Sequence, residues 1–152
     1  MDERIAHKQL LKQHAEQVLL QRIAITQQAM DEAQAAANQE SKSSVGDKYE
    51  TARAMSQLEK DMHARQLIAH QQDLQALCAV NVQAIYQAPV AGAFVRSATA
   101  CFFIGTGLGK QLINGEMVIF LSPVSPLAKQ LMPKKKGDEF EFKGKDRITD
   151  VY

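Results

Sequence analysis

The chain has 152 residues, a formal net charge of +1 and 45% hydrophobic residues. That length allows one full domain or two small ones, and the near-neutral charge selects no class of partner. No apolar run approaches the roughly 18 residues of a membrane span, and the charged N-terminus lacks the apolar centre of a secretory signal. We therefore expect a cytoplasmic protein with no membrane partner.

Residues 1 to about 80 indicate two long helices. They contain no proline and a single glycine, Gly46, and they are rich in Gln, Ala, Glu, Lys and Leu. Serines and glycine within 39–46 separate a first helical arm, at about 3–37, from a second at about 47–80. Two such arms around a short loop predict an antiparallel coiled-coil hairpin. At a rise of 1.5 Å per residue each arm is about 50 Å long, so we expect the hairpin to protrude.

Apolar residues three, four and seven positions apart give each arm a narrow seam rather than a broad buried face. The predicted seam of the first arm is Leu11, Ala15, Val18, Ile25, Ala29 and Ala33. The predicted seam of the second arm is Met55, Leu58, Met62, Leu67, Leu74 and Leu77.

Residues 84 to 152 indicate a sheet domain, because they hold all four prolines, seven of the eight glycines and all six phenylalanines. Strands are predicted at 98–104, 116–121, 138–142 and 147–152. The run SPLAKQL at 125–131 predicts one short helix, with Ser125 as N-cap and Pro126 in the first turn. The run GTGLG at 105–109 lacks a full dinucleotide-binding fingerprint and predicts a hairpin turn.

Two carboxylates, Asp47 and Glu50, follow the break between the arms. Spaced three residues apart in the first turn of a helix, they project from one face. Acidic residues are common in that position, because they complement the helix dipole and cap free amides. Carboxylate oxygens are also the ligands that Mg²⁺ prefers. From these two residues alone, a capping role and a metal-binding role both remain open.

Two motifs in the chain resemble those of the bacterial GreA/GreB transcript cleavage factors. The run FLSPVSPLAKQLMPKKKGDEFEF is similar to the C-terminal motif of that family: a strand, Ser125-Pro126-Leu127-Ala128 opening a short helix, a basic stretch, and Gly137-Asp138 opening a strand. The run GDKYETA is similar to the acidic tip of its hairpin, with Gly46, Asp47, Glu50 and Ala52 matching. The order of parts also agrees over nearly the whole chain.

This resemblance implies an α+β fold, with an N-terminal antiparallel coiled-coil hairpin at 1–80 and an FKBP-like antiparallel sheet domain with one short helix at 84–152. The acidic tip would lie near 39–50. Docking of the second domain on RNA polymerase, through Ser125, Pro126, Leu127 and Lys129, would let the hairpin enter the secondary channel. The tip would there stimulate hydrolysis of backtracked transcript RNA, close to the RNA 3′ end.

The resemblance also implies separate chemical roles for this chain and for the polymerase. Asp47 would help to hold a second Mg²⁺ and Glu50 would position the attacking water, while the polymerase supplies the other metal and its ligands. The protein alone would then bind no cofactor, hydrolyse nothing and have no prolyl isomerase activity. We expect it to be a monomer.

The tip departs from the family pattern in ways that favour an alternative function. Thr51 replaces the usual asparagine, Tyr49 lies between the acids, and Arg53 and Ala54 replace an acid and an aromatic residue. Arg53 could draw the Glu50 carboxylate away from a metal. The alternative is a regulator that occupies the secondary channel without stimulating cleavage.

Lysines cluster near the C-terminus and admit two interpretations. They are Lys129, Lys134, Lys135, Lys136, Lys143 and Lys145, with Arg147 beside them. The cluster fits contact with acidic protein surface or nucleic-acid phosphate, and equally a solvated charged surface.

Overall fold

The computed structural model describes residues 2–43 and 47–152, and it describes the side chains of these residues except at 40–43 and 47–49. The chain divides into two compact units. One comprises residues 1–17 and 75–152, and the other comprises residues 18–74. The division differs from the predicted boundary near residue 80, because both ends of the helical pair belong with the sheet. The predicted domains at 1–80 and 84–152 remain a prediction.

Two long helices precede the sheet, as the sequence predicted. Helix α1 spans Glu3–Ser43 and helix α2 spans Asp47–Cys78. The predicted start of the second arm is therefore correct. The predicted end of the first arm is wrong, because α1 continues six residues beyond residue 37. The sequence between 38 and 43 contains no proline or glycine, so nothing in its backbone chemistry stops the helix there.

The seam within the unit 18–74 follows the predicted one only in part: the predicted Ala33 is buried and Val18 and Ala29 are half-buried, but other buried positions lie one residue away from the predicted ones. In α1, Leu19, Thr26 and Ala33 are buried at a spacing of seven, whereas Ile25 is 61% exposed. The half-buried positions of α2 include small residues such as Ala52 and Ser56. The three predicted seam residues Met55, Leu58 and Met62 are instead exposed. Small residues allow two helices to approach closely, so the largest apolar side chains are displaced to the flanks.

Six strands form one sheet. In chain order they are β1 at Phe94–Ser97, β2 at Cys101–Ile104, β3 at Gly109–Ile113, β4 at Glu116–Leu121, β5 at Glu139–Glu141 and β6 at Lys145–Val151. The order across the sheet is β3-β4-β2-β1-β6-β5. Four of the predicted strand regions are thus confirmed, while β1 and β3 were missed.

One strand pair departs from the predicted antiparallel sheet, because β2 and β4 run parallel. The chain leaves β2 through residues 105–108, forms β3 at the sheet edge, and returns in β4 between them. The run at 105–109 is therefore a crossover and not the predicted hairpin turn. The hairpin turn lies at Asn114-Gly115, where both residues have the positive φ angles that a tight turn between antiparallel strands requires.

One face of the sheet packs against the short helix α3 at Pro126–Leu131. Buried Ala128 and Leu131 of the helix join Val95, Phe102 and Ile148 of the sheet in one apolar cluster. Ring contacts from Phe102 to Phe140 and Phe142, with centroids 6.0 and 5.3 Å apart, extend this core toward the β5–β6 hairpin. The predicted short helix and its cap are confirmed.

The start of α1 lies against the opposite face of the sheet. His7 packs edge-on against Phe94, with ring centroids 4.7 Å apart, and His14 lies 6.1 Å from the Phe120 ring. Leu11 and Ala15, between these histidines, are fully buried. The predicted fold class, a helical hairpin followed by a sheet domain with one short helix, is confirmed.

A lysine is fully buried where α1 meets the segment after α2. The Lys8 ammonium donates a hydrogen bond of 2.6 Å to the Ala84 carbonyl and lies 4.6 Å from the centroid of the Tyr86 ring. Burial, together with the positive charge of Arg4, lowers the pKa of Lys8 to about 8. A buried cation is tolerated here because it has a carbonyl and an aromatic face as partners.

We predict that Lys8→Met changes the pH dependence of stability. Because the pKa of Lys8 is lower in the folded chain than in the unfolded chain, its contribution opposes folding most at neutral pH. That penalty is relieved as the pH rises from about 8 toward 10.5. The free energy of unfolding of the wild type should increase relative to Lys8→Met by about 2 kcal/mol between pH 7.5 and 9.5. Urea unfolding at each pH measures this difference, and parallel curves for the two proteins would contradict it.

Candidate functional site

Both predicted tip carboxylates lie in the first turn of α2. Asp47 is its first residue, Glu50 follows three residues later, and the helix begins four residues after α1 ends at Ser43. Gly46, the motif glycine, and the side chain of Asp47 lie outside the described residues. The structure therefore places the backbone of both acids in the first turn of α2.

The Glu50 side chain is exposed and makes no ion pair with another described residue. Arg53, three residues further along α2, is also exposed and lies on the same side of the helix. Ala52 between them is half-buried. The Glu50 carboxylate is thus available to an external cation, with one guanidinium on the same helix face.

The four predicted docking residues lie at the start of α3 but differ in exposure. Ser125 is the N-cap: its hydroxyl accepts a hydrogen bond from the Ala128 amide at 3.2 Å and donates one to the Ser122 carbonyl at 2.7 Å. Pro126 occupies the first turn and is exposed, as is Lys129. Leu127 is half-buried against the apolar core. Pro126 and Lys129 can therefore contact a partner, whereas Ser125 and Leu127 mainly shape the turn.

Val124 was missed by the sequence prediction. It is 72% exposed, the highest value among the large apolar side chains of the described residues. It immediately precedes the cap, and Pro126 and Lys129, which follow it in α3, are also exposed. A valine lying between Pro123 and Pro126 was the available signal. We call Val124, Pro126 and Lys129 the α3 surface.

A polar cluster links α1 to the sheet at the other face. The His7 Nδ1 atom lies 2.6 Å from the Tyr152 hydroxyl, and Glu116 interacts with the Arg96 guanidinium at 3.3 Å. Burial lowers the pKa of His7 and raises the pKa of Tyr152 to about 12. Burial also raises the pKa of Cys101, whose sulfur accepts a hydrogen bond from Arg96. These shifts favour the neutral forms of all three groups, as expected for partly buried side chains.

The described residues contain no group of three or more His, Cys, Asp or Glu side chains that could hold a metal ion. None of the helices, over the same residues, is long and apolar enough to cross a membrane. A metal ion bound by Glu50 would therefore need further ligands from outside the residues that the structure describes.

Comparisons with known proteins identify a likeness in structure but none in sequence family. No family model matches the chain, and no curated protein matches it. The chain is similar to a solved structure of the transcription factor Gfh1, with 15% identity over 91% of this chain and 93% of that one, at a TM-score of 0.39. At this identity and TM-score, the likeness does not extend to conclusions about activity or partners.

We predict that Ser125→Ala destabilises the folded chain by about 1 kcal/mol, because the Ala128 amide loses its cap. Ser125→Thr keeps the hydroxyl and should restore most of that loss. Chemical unfolding of the three proteins, monitored by circular dichroism, measures the difference. A Ser125→Ala variant as stable as the wild type would show that the cap contributes nothing.

Proposed function

We propose that this chain is a Gre-type transcription factor that binds RNA polymerase and brings Asp47 and Glu50 to the polymerase active site. The observation that carries the proposal is the position of these acids, in the first turn of α2 directly after the connection between two long helices. The second motif, at the start of α3, supports it independently, because its predicted helix and cap form as the resemblance implies.

The proposed chemistry is metal-assisted hydrolysis of backtracked transcript. Mg²⁺ usually keeps several waters and is held by only one or two protein carboxylates together with substrate phosphate. Two acids one helical turn apart can complete such a site, provided that another protein supplies the remaining ligands. We therefore propose that the chain is not an enzyme alone, and that the Mg²⁺ belongs to its complex with polymerase.

The proposed docking surface is the α3 surface. Its exposed valine and proline offer an apolar contact, and the Lys129 ammonium adds a positive charge at its edge. Interfaces gain most of their affinity from a few desolvated apolar contacts, whereas rim charges mainly affect the association rate. Ser125 and Leu127 contribute by fixing the turn that presents this surface.

A second candidate function is a regulator that occupies the secondary channel without stimulating cleavage. The observation that favours it is the position of Arg53 on the same helix face as Glu50. A guanidinium three residues along the same helix face competes with a cation for the Glu50 carboxylate. The two candidates share the α3 surface and differ only in what the tip does.

We predict that this protein shortens the transcript of a backtracked polymerase in the presence of Mg²⁺. Asp47→Asn and Glu50→Gln should each reduce the cleavage rate by at least about 100-fold, the scale expected when a metal ligand or a water-positioning group is removed. Gel analysis of end-labelled RNA from stalled complexes measures the rate.

The matched control is Asp73→Asn, which removes an exposed carboxylate from the same helix more than six turns away. It should cleave like the wild type. No cleavage by the wild type, with elongation slowed equally by the tip variants, would favour the regulator instead. Failure of all these proteins to bind polymerase would contradict both candidates.

We predict that Val124→Asp weakens binding to polymerase by at least about 10-fold, because it places a charge in an apolar contact. The side chain is exposed, so the folded chain should keep its stability. Lys129→Glu should lower the association rate more than it raises the dissociation rate. Surface plasmon resonance measures both rates, with Lys60→Glu on the exposed side of α2 as the charge-matched control. Unchanged binding by Val124→Asp would exclude the α3 surface.

A further inference from the structure

A cavity of about 370 Å³ opens on the same sheet face as α3. Its volume falls within the usual range for small-molecule sites. The residues that line it come from the β1–β2 turn, from β3 and β4, and from the β5–β6 hairpin. They are Thr99, Ala100, Lys110, Met117, Ile119, Phe142, Lys143 and Lys145. We call this the lysine cavity.

Strand register brings the floor of the lysine cavity together. Lys110 of β3 lies opposite Ile119 of β4, and Met117 lies two residues earlier on the same face. Ile119, Ala100 and Phe142 also pack against the apolar cluster beneath α3. The floor is therefore apolar and anchored in the core, and it holds one aromatic ring.

Three lysines line the cavity together with that floor, and no Asp or Glu is among the lining residues. Lys110, Lys143 and Lys145 make no ion pair among the residues that the structure describes. Glu141 lies opposite Lys145 in the strand register, but it does not line the cavity. Three lysines without an ion-pair partner that line one concave site create a local positive potential, which attracts anions.

The backbone at Lys143 is unusual for a lysine. It has a φ of 50°, next to Gly144 at 110°, in a turn that normally selects asparagine or glycine. The strained turn places the Lys143 ammonium 5.7 Å from the centroid of the Phe142 ring. Strain of this kind persists where the rest of the structure holds it, and it is concentrated at binding sites.

The wall formed by Thr99 is held rigidly by Asp146. This buried carboxylate accepts hydrogen bonds from the hydroxyl groups of Thr99 and Ser97 and from the Ala98 amide. Burial alone would raise the pKa of Asp146, but these hydrogen bonds lower it overall, so the carboxylate remains ionised. The Asp146 carboxylate is thus held by donors of the β1–β2 turn, and Asp146 is not among the residues that line the cavity.

We propose that the lysine cavity binds a nucleoside phosphate, with the base on the apolar floor beside Phe142 and the phosphate between the lysines. Inorganic phosphate would leave the apolar floor hydrated, and a neutral apolar ligand would leave the three cations without a counter-ion. A nucleoside phosphate satisfies both the apolar floor and the lysines, because it joins a flat aromatic base to a phosphate dianion. The same unit occurs as a free nucleotide or within single-stranded nucleic acid.

The test is titration of the full chain with AMP, adenosine and inorganic phosphate by isothermal calorimetry. We expect AMP to bind with a Kd of about 10–1,000 μM, the range that ordinary ligand efficiencies give for a molecule of this size. Adenosine and phosphate should each bind at least about 10-fold more weakly. No saturable binding of AMP at millimolar concentration would overturn the proposal, and so would equal affinity for adenosine.

Variants of the lining residues distinguish binding in the lysine cavity from nonspecific attraction to surface charge. Lys110→Gln and Lys145→Gln should each weaken AMP binding by about 3–10-fold, and Phe142→Leu by a similar factor. Lys136→Gln removes the same charge from an exposed position outside the lysine cavity and should bind like the wild type. An equal loss in Lys136→Gln would overturn the proposal.

The most selective variant is Lys143→Asn, because asparagine tolerates the left-handed turn. It should raise the melting temperature by about 1–3 °C and weaken AMP binding by about 3–10-fold. Opposite effects on stability and binding cannot come from a damaged fold. A variant that gains stability and keeps full affinity would show that Lys143 is not part of the site.

A short single-stranded oligonucleotide distinguishes the two sources of the ligand. If it binds more than about 10-fold tighter than AMP, with the same dependence on Lys110 and Lys145, the occupant is single-stranded nucleic acid. Equal or weaker affinity identifies a free nucleotide. These measurements need no polymerase, so their outcome is independent of the proposed function.

Discussion

The sheet has two apolar faces and one short helix of its own, and this mismatch is the constraint on which the unit 1–17 and 75–152 depends. Helix α3 covers one face, so the first turns of α1 must cover the other. Burying those turns also buries lysines, and each buried ammonium needs an acceptor. Lys8 finds the Ala84 carbonyl, and Lys12 donates to the carbonyls of Cys78 and Val80 at 3.2 and 2.9 Å.

The Cys78 carbonyl belongs to the last residue of α2, and those of Val80 and Ala84 belong to the segment that follows it. The last carbonyls of a helix have no partner within it, and a cation near that end also complements the helix dipole. The half-buried Lys12 therefore supplies a donor and a positive charge to the end of α2. The following segment packs so closely that a Cβ atom on Gly92 would lie 2.3 Å from the Asn81 carbonyl oxygen. The route from α2 into β1 is thus fixed by backbone contacts and not by apolar packing alone.

The sequence predicted best where local chemistry decides the structure. The start of α2, the strand at Glu116–Leu121 and the Ser125 cap of α3 each follow from residues within a few positions. The seam was displaced because Thr26 is polar and still buried, so a search for large apolar residues selected Ile25 instead. The sequence prediction missed strand β3 because the side chains of this strand are mostly exposed. It also missed the parallel pairing of β2 with β4, because that pairing depends on a crossover that no local pattern reveals.

The same distinction, between structure set by neighbouring residues and structure set by distant ones, separates the proposed polymerase-binding regions from the lysine cavity. The α2 turn and the α3 surface are built from continuous stretches, so motif resemblance could find their residues, apart from Val124. The lysine cavity gathers Lys110 from β3 and Lys143 and Lys145 from the β5–β6 hairpin, which lie at opposite edges of the sheet order. In the sequence, the latter two belonged to a basic run that a solvated surface explains equally well. Lys143 and Lys145 are distinguished from the other basic residues only by the register of the sheet and by the left-handed turn at Lys143. These two features bring them to the apolar floor.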